Sequence, residues 1–234
     1  MNSAERLTSA APPGLISSPF AGSVALRKVH VVFTETLGWV AAVVGTLVAL
    51  PQVIRLLRSG TAAGISLLAW QATLGANIAW SAHGFAVGHL NILLPNLLCL
   101  IYSFVVLSQL RRHRGLGWLR TLGPAVLLGL VTFGLDVTVG TVAFAIAAFL
   151  PSAVAQLAQL HALIIAANIR GVSLTFLVAS VVNQALWVSW SVLANETSVT
   201  LVATSLGSLM ALNLVVGLLR RFRVVRARLS AMSA

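Results

Sequence analysis

Long stretches of the chain are apolar on every helical face, and the breaks between them are short and carry most of the basic residues. A helix needs roughly 20 mostly apolar residues to cross a hydrocarbon core of about 30 Å at about 1.5 Å per residue. Reading for such runs predicts seven spans, near 37–57, 64–83, 89–110, 118–135, 140–165, 172–194 and 198–219. The fourth is short and contains Gly123-Pro124. Residues 1–34 form a broken pattern of Ser, Ala, Pro and Gly, as in Ala11-Pro12-Pro13-Gly14. That pattern predicts a flexible leader, since a cleaved signal peptide needs a compact apolar core of about 7–15 residues.

Composition removes the soluble alternatives. Hydrophobic residues make up 59% of the 234 residues, charged residues 8%, and mean hydropathy is +0.98, whereas soluble domains carry about 25% charge. The net charge of +11, from 15 Lys+Arg against 4 Asp+Glu, would suggest nucleic acid in a soluble protein. Here position matters more than the sum. Arg55, Arg58, Arg111, Arg112, Arg114, Arg120, Arg170, Arg220, Arg221, Arg223, Arg226 and Arg228 all fall on one side of a seven-span chain. The other side has Arg6, Arg27 and Lys28 in the leader and Asp136 and Glu196 in its loops. Cytoplasmic loops retain Lys and Arg, so the N-terminus is expected outside and the C-terminus in the cytoplasm of a multi-pass plasma-membrane protein. The basic clusters then meet anionic lipid headgroups, not nucleic acid. The single cysteine, Cys99, lies in an apolar run and permits neither an intramolecular disulfide nor a cysteine-based metal site.

The chain repeats itself. Residues 50–70, LPQVIRLLRSGTAAGISLLAW, resemble 157–177, LAQLHALIIAANIRGVSLTFL, at an offset of 107. Gln52 falls on Gln159, Gly64-Ile65-Ser66 on Gly171-Val172-Ser173, and Trp80 on Trp187. Spans 1–3 thus match spans 5–7 and span 4 is left as a linker. An odd linker lets both three-helix units enter the membrane in the same sense, related by an axis along its normal. The expected fold is an all-α membrane protein with two parallel three-helix repeats in a 3+1+3 plan. Its parts are a leader (1–34), a first repeat (35–112), a linker helix (113–138), a second repeat (139–221) and a basic tail (222–234).

Leu50-Pro51-Gln52 at the end of a first span, followed by Gly64-Ile65-Ser66, looks like the PQ-loop motif. With the repeat and with Leu94-Pro95-Asn96 opening the core of span 3, the chain resembles the SWEET sugar facilitators and their half-size relatives, the SemiSWEETs, over about residues 35–220. The resemblance implies a sugar pocket lined by Trp80 and Asn96, and hinge or gating roles for Pro51 and Gln52.

The residues support a pocket on their own terms. Polar groups in hydrocarbon cost several kcal/mol unless paired, so those kept at mid-depth are candidates for function. Trp80 and Asn77 are one turn apart on span 2, and Asn96 reaches a similar depth on span 3. A sugar offers an apolar face to an indole and hydroxyls to an amide. In the second repeat Trp187, Asn183 and Gln184 correspond, but Ala203 occupies the place of Asn96, with Ser205 the nearest suitable hydroxyl. Pro51 should kink or end span 1. Trp39 and Trp118, near span ends, suit interfacial anchoring.

All four acids fall in the leader, near a span end or in loops, and His83, His89 and His161 near span ends, where solvation is expected. The expected function is therefore facilitated, uncoupled diffusion of a sugar by alternating access. No cofactor, no metal and no enzyme activity are expected, because no His, Asp or Glu is placed to activate a hydroxyl. The expected partners are a small-molecule sugar and membrane lipids. Two repeats in one chain can enclose a path without a second copy, and the resemblance leaves room for a homo-oligomer. The alternatives are a PQ-loop amino-acid transporter and a membrane receptor or assembly factor that does not transport.

Overall fold

A computed structural model of the protein describes residues 19–59, 66–166, 168–169 and 172–232. By internal contacts the chain divides into Met1–Phe33 and Thr34–Ala234. Of the first unit, residues 19–33 are described and are helical. Seven helices follow in order, α1 (Pro19–Ser59), α2 (Leu67–Ala86), α3 (Leu90–Arg114), α4 (Trp118–Thr138), α5 (Thr141–Ile165), α6 (Leu174–Ala194) and α7 (Thr197–Met232). No strand occurs among the described residues.

Six helical stretches are long and apolar enough to cross a membrane: Arg27–Val48 of α1, Thr197–Phe222 of α7, and α3, α4, α5 and α6 entire. The protein is thus a helical, multi-pass membrane protein. The 20-residue α2 is not among them, because Gln71, Asn77, Ser81 and His83 interrupt its apolar sequence. One expectation needs correction at the N-terminal side. Helix α1 begins at Pro19, inside the segment read as a flexible leader, and residues 1–18 lie outside the described ones. It also runs through Pro51 to Ser59, so the proline does not end it. The side chains of Pro51 and Gln52 lie outside the described ones, as do Gly64, Ile65, Arg170 and Gly171 of the basic and repeat patterns.

Local chemistry explains the boundaries. Ser66 and Ser173, 107 residues apart, make the same N-cap: each side chain accepts a hydrogen bond at 3.2 Å, from the amides of Ala69 and Phe176, with φ near −79° at both. Gly115 (φ 63°) and Asn195 (φ 56°) close α3 and α6 in the left-handed conformation. Pro95, Pro124 and Pro151 lie inside α3, α4 and α5, which membrane helices tolerate where neighbours satisfy the freed carbonyls.

Helix α2 packs on α3 and α4, α7 packs on both α5 and α6, and α4 meets α5. The contact between α2 and α4 is backbone-close. A Cβ on Gly75 would stand 2.8 Å from the Ala125 carbonyl oxygen, and one on Gly129 would stand 2.7 Å from Ile78 Cβ. Gln71 Nε2 pins the same seam by donating to the carbonyls of Arg120 and Thr121 at 2.8 and 3.0 Å. Helix α1 meets α3 where Gly38 faces Asn91. The outer surface carries exposed Leu127, Leu130, Val131, Ile146, Leu157 and Leu219, the pattern of a protein whose surroundings are apolar. Trp118 is half-exposed, stacked on Phe104 and under the Arg111 guanidinium at 4.1 Å.

Candidate functional site

A cavity of about 230 Å³ lies among the helices, with walls from α1, α2, α3, α6 and α7. Its lining is largely apolar, and Thr46, Asn96, Gln184 and the indoles of Trp80 and Trp187 supply the polar groups. Lining positions pair at the repeat offset of 107: Trp80 with Trp187, Ile92 with Val199, Pro95 with Val202, Asn96 with Ala203 and Cys99 with Leu206. No charged side chain lines it among the described residues. Toward the Ile92 side the cavity is bounded by an apolar cluster of Ile92, Trp190, Val199 and Ala203, with Leu37 and Trp187 packed against it.

Four of the expected pocket residues, Trp80, Asn96, Gln184 and Trp187, therefore meet in one cavity. Asn96 Nδ2 donates to the carbonyl of Ile92 in its own helix at 2.8 Å. This bond fixes the amide and leaves its oxygen as the acceptor for a guest.

The other three are placed elsewhere. Asn77 is buried against α3, where its Nδ2 donates to Ser103 Oγ at 3.4 Å. Helix α2 turns one stripe, Leu74, Asn77, Ser81 and Gly84, into the helix pack, and Trp80 sits on the adjacent stripe facing the cavity. Asn183 abuts α1 at Gly45, beside the cavity wall. Ser205 is exposed. The face of α7 toward the cavity is Val199, Val202, Ala203 and Leu206, the i, i+3, i+4, i+7 stripe. Residue 205 lies about 200° round the helix from 203, so Ala203 itself fills the place of the missing amide.

Two placements differ from the sequence reading. His83 is not solvated, being 1% exposed, and Asp136 lies in the last turn of α4 and not in a loop, whereas Glu196 does lie in the α6–α7 turn. Asp136 Oδ2 approaches His83 Nδ1 at 2.6 Å and Glu196 Oε1 approaches Nε2 at 3.3 Å. Ser198 Oγ lies 2.8 Å from Nε2 and donates to Glu196 Oε1 at 2.6 Å. Phe144 stacks on the imidazole at 4.4 Å and Trp80 meets it edge-on at 5.6 Å, which joins the cluster to the cavity wall. Burial pushes the Glu196 carboxyl up, but hydrogen bonds from His83 and from the Ser198 hydroxyl and amide outweigh it and hold the group below the usual carboxylate range.

A signal for this cluster was present. In the seven-span reading of the sequence, His83, Asp136 and Glu196 all fall on the same side, opposite the arginines. A His and an acid do approach a hydroxyl, at Ser198. The order carboxylate, imidazole, hydroxyl is that of a hydrolytic relay, but Ser198 is fully buried and is not on the cavity wall. A second carboxylate occupies its hydroxyl, leaving no place for an acyl carbon.

The described residues hold no group of three or more His, Cys, Asp or Glu suited to a metal ion. No protein-family model matches the chain, and no curated protein matches it.

Proposed function

We propose that the protein is a SWEET-like transporter that carries a sugar by facilitated, uncoupled diffusion, with two three-helix repeats opening the cavity alternately to either side. The observation that carries this reading is the cavity itself: two indoles 107 residues apart, two side-chain amides, and no charged group among its described lining. A neutral solute with an apolar face and a hydroxyl rim matches that lining. The twin Ser66 and Ser173 caps, and an α7 that packs on both α5 and α6, support the repeat on which alternating access depends. In this reading the arginine-rich end faces the cytoplasm of a plasma membrane, and the His83 end faces outward.

The amino-acid alternative is disfavoured by the same lining, since an ammonium and a carboxylate taken from water need charged or densely polar partners. A receptor or assembly factor that does not transport would need no cavity-facing Trp and Asn to act. Counterflow in proteoliposomes with a panel of mono- and disaccharides and amino acids decides among these. Sugar uptake that equilibrates without accumulating, and is lost in Trp80→Ala, is expected. Flux of amino acids alone, or of nothing, would remove the sugar reading.

A further inference from the structure

With Asp136 and Glu196 ionised, the hydrogens around His83 fit one arrangement. Asp136 Oδ2, 2.6 Å away, requires a proton on Nδ1. On the other side Ser198 Oγ has a single proton, and Glu196 Oε1 at 2.6 Å takes it, since a carboxylate only accepts. Nε2 at 2.8 Å must then donate to that hydroxyl, with Oε1 at 3.3 Å sharing the bond. A bare Nε2 would claim the serine proton and set an oxygen lone pair against a carboxylate. The lowered carboxyl of Glu196 agrees with its being ionised. His83 is thus held as imidazolium, and loss of its Nε2 proton would set a lone pair against the Ser198 hydroxyl and leave two buried carboxylates with no cation between them.

The cluster also joins parts of the chain remote in sequence. His83 comes from α2, Asp136 from the last turn of α4, Glu196 from the α6–α7 turn and Ser198 from the start of α7. From α5 the imidazole meets Phe144. The nearby His89 turns instead to Trp190, at 5.1 Å, and Glu35 of α1 is exposed. At the positions related by 107 residues, Trp190 answers to His83 and Asn91 to Ser198, and these two meet at Gly38 with Trp190 Nε1 and Asn91 Nδ2 unpartnered. One side of this end is therefore fastened by charge, while the other leaves two side-chain donors unpartnered.

The structure assigns to His83, Asp136, Glu196 and Ser198 a proton-binding site that clasps the two halves of the molecule at this end, occupied when they are joined and vacated when they part. Parting the helices exposes His83 only to the solution at its own end, because Trp80 and Phe144 lie between it and the cavity. The proton is taken up and released on one side, so it gates the cycle without being carried across. Protonation closes this end. Deprotonation favours opening, and one linked proton changes the closed-to-open ratio by up to about tenfold per pH unit. The gating of flux rests on the alternating-access reading; the proton-linked closure does not.

The test places spin labels at Val139→Cys and Val192→Cys, both exposed at this end on α4 and α6, in a Cys99→Ser background. Distances are read by electron double resonance in lipid bilayers at about pH 5.5 and about pH 8. A short distance at the lower pH that gives way to a longer one at the higher is expected, with His83→Gln abolishing the response. Asp136→Asn keeps the imidazole but removes one of its carboxylates, and must move the midpoint to lower pH. A distance that ignores pH in the wild type, or a midpoint unmoved by Asp136→Asn, overturns the proposal. Pure gating is likewise overturned if a pH gradient drives accumulation of the solute. The distances need no solute, so a protein that answers to pH but carries no sugar keeps its proton site and loses only the transport reading.

Discussion

Asn77 and Asn96 carry the same amide at similar depth, yet one serves packing and the other faces the cavity. Nothing in residue type separates them; the side of the helix does. Asn77 is used up against Ser103, whereas the Nδ2 of Asn96 is tied to Ile92 and its oxygen is presented. Asn96→Ala should therefore weaken solute binding by about 2- to 10-fold, the value of one hydrogen bond of about 0.5–1.5 kcal/mol, with little change in melting temperature. Asn77→Ala should do the reverse, and calorimetric titration beside thermal unfolding separates the two. Trp80, Trp187, Gln184 and Asn96 were legible in sequence because such groups are costly in hydrocarbon. Ser205 was not separable from Ala203 in a linear reading, because two residues along the chain is about half a turn and puts the hydroxyl on the far face of the helix. His83 was missed for another reason: its partners are 53 and 113 residues away, and only the fold brings three helix ends into one layer.

At the scale of elements, the spans from 89 to 219 were legible to within a few residues, because hydropathy runs and caps such as Ser173 and Gly115 are local. The start of α1 was not, since residues 19–34 lack the long apolar run that marks the other helices. Packing between elements was legible least. Two glycines, Gly75 and Gly129, set the approach of α2 to α4, and Gly75→Val should cost about 1–3 kcal/mol by overpacking, seen as a lower unfolding temperature in detergent. Another contact invisible in sequence is that of Arg220, whose guanidinium donates to the carbonyls of Leu163, Ile164 and Ala166 at the C-terminal end of α5. A cation there satisfies orphan carbonyls and opposes the helix dipole. The basic cluster read as a topology signal thus also ties α7 to α5.

For the whole molecule, the offset of 107 found between two stretches of sequence reappears among the residues that line one cavity. Within those pairs Asn96 stands against Ala203 in the wall, and His83 answers to Trp190 at the end. On the proposed reading, the Asn96 side of the cavity binds hydroxyls and the His83 side of its closure senses protons. The central claim is that this cavity is a solute site reached from water in turn from each side, and the single cysteine reports on it without mutation, since Cys99 is on the wall. Sealed proteoliposomes treated with a membrane-impermeant methanethiosulfonate should show Cys99 modified, with the rate falling in the presence of the transported sugar and unchanged by solutes that are not carried. A Cys99 that stays unmodified from both sides, or reacts at the same rate whatever solute is present, would contradict the account.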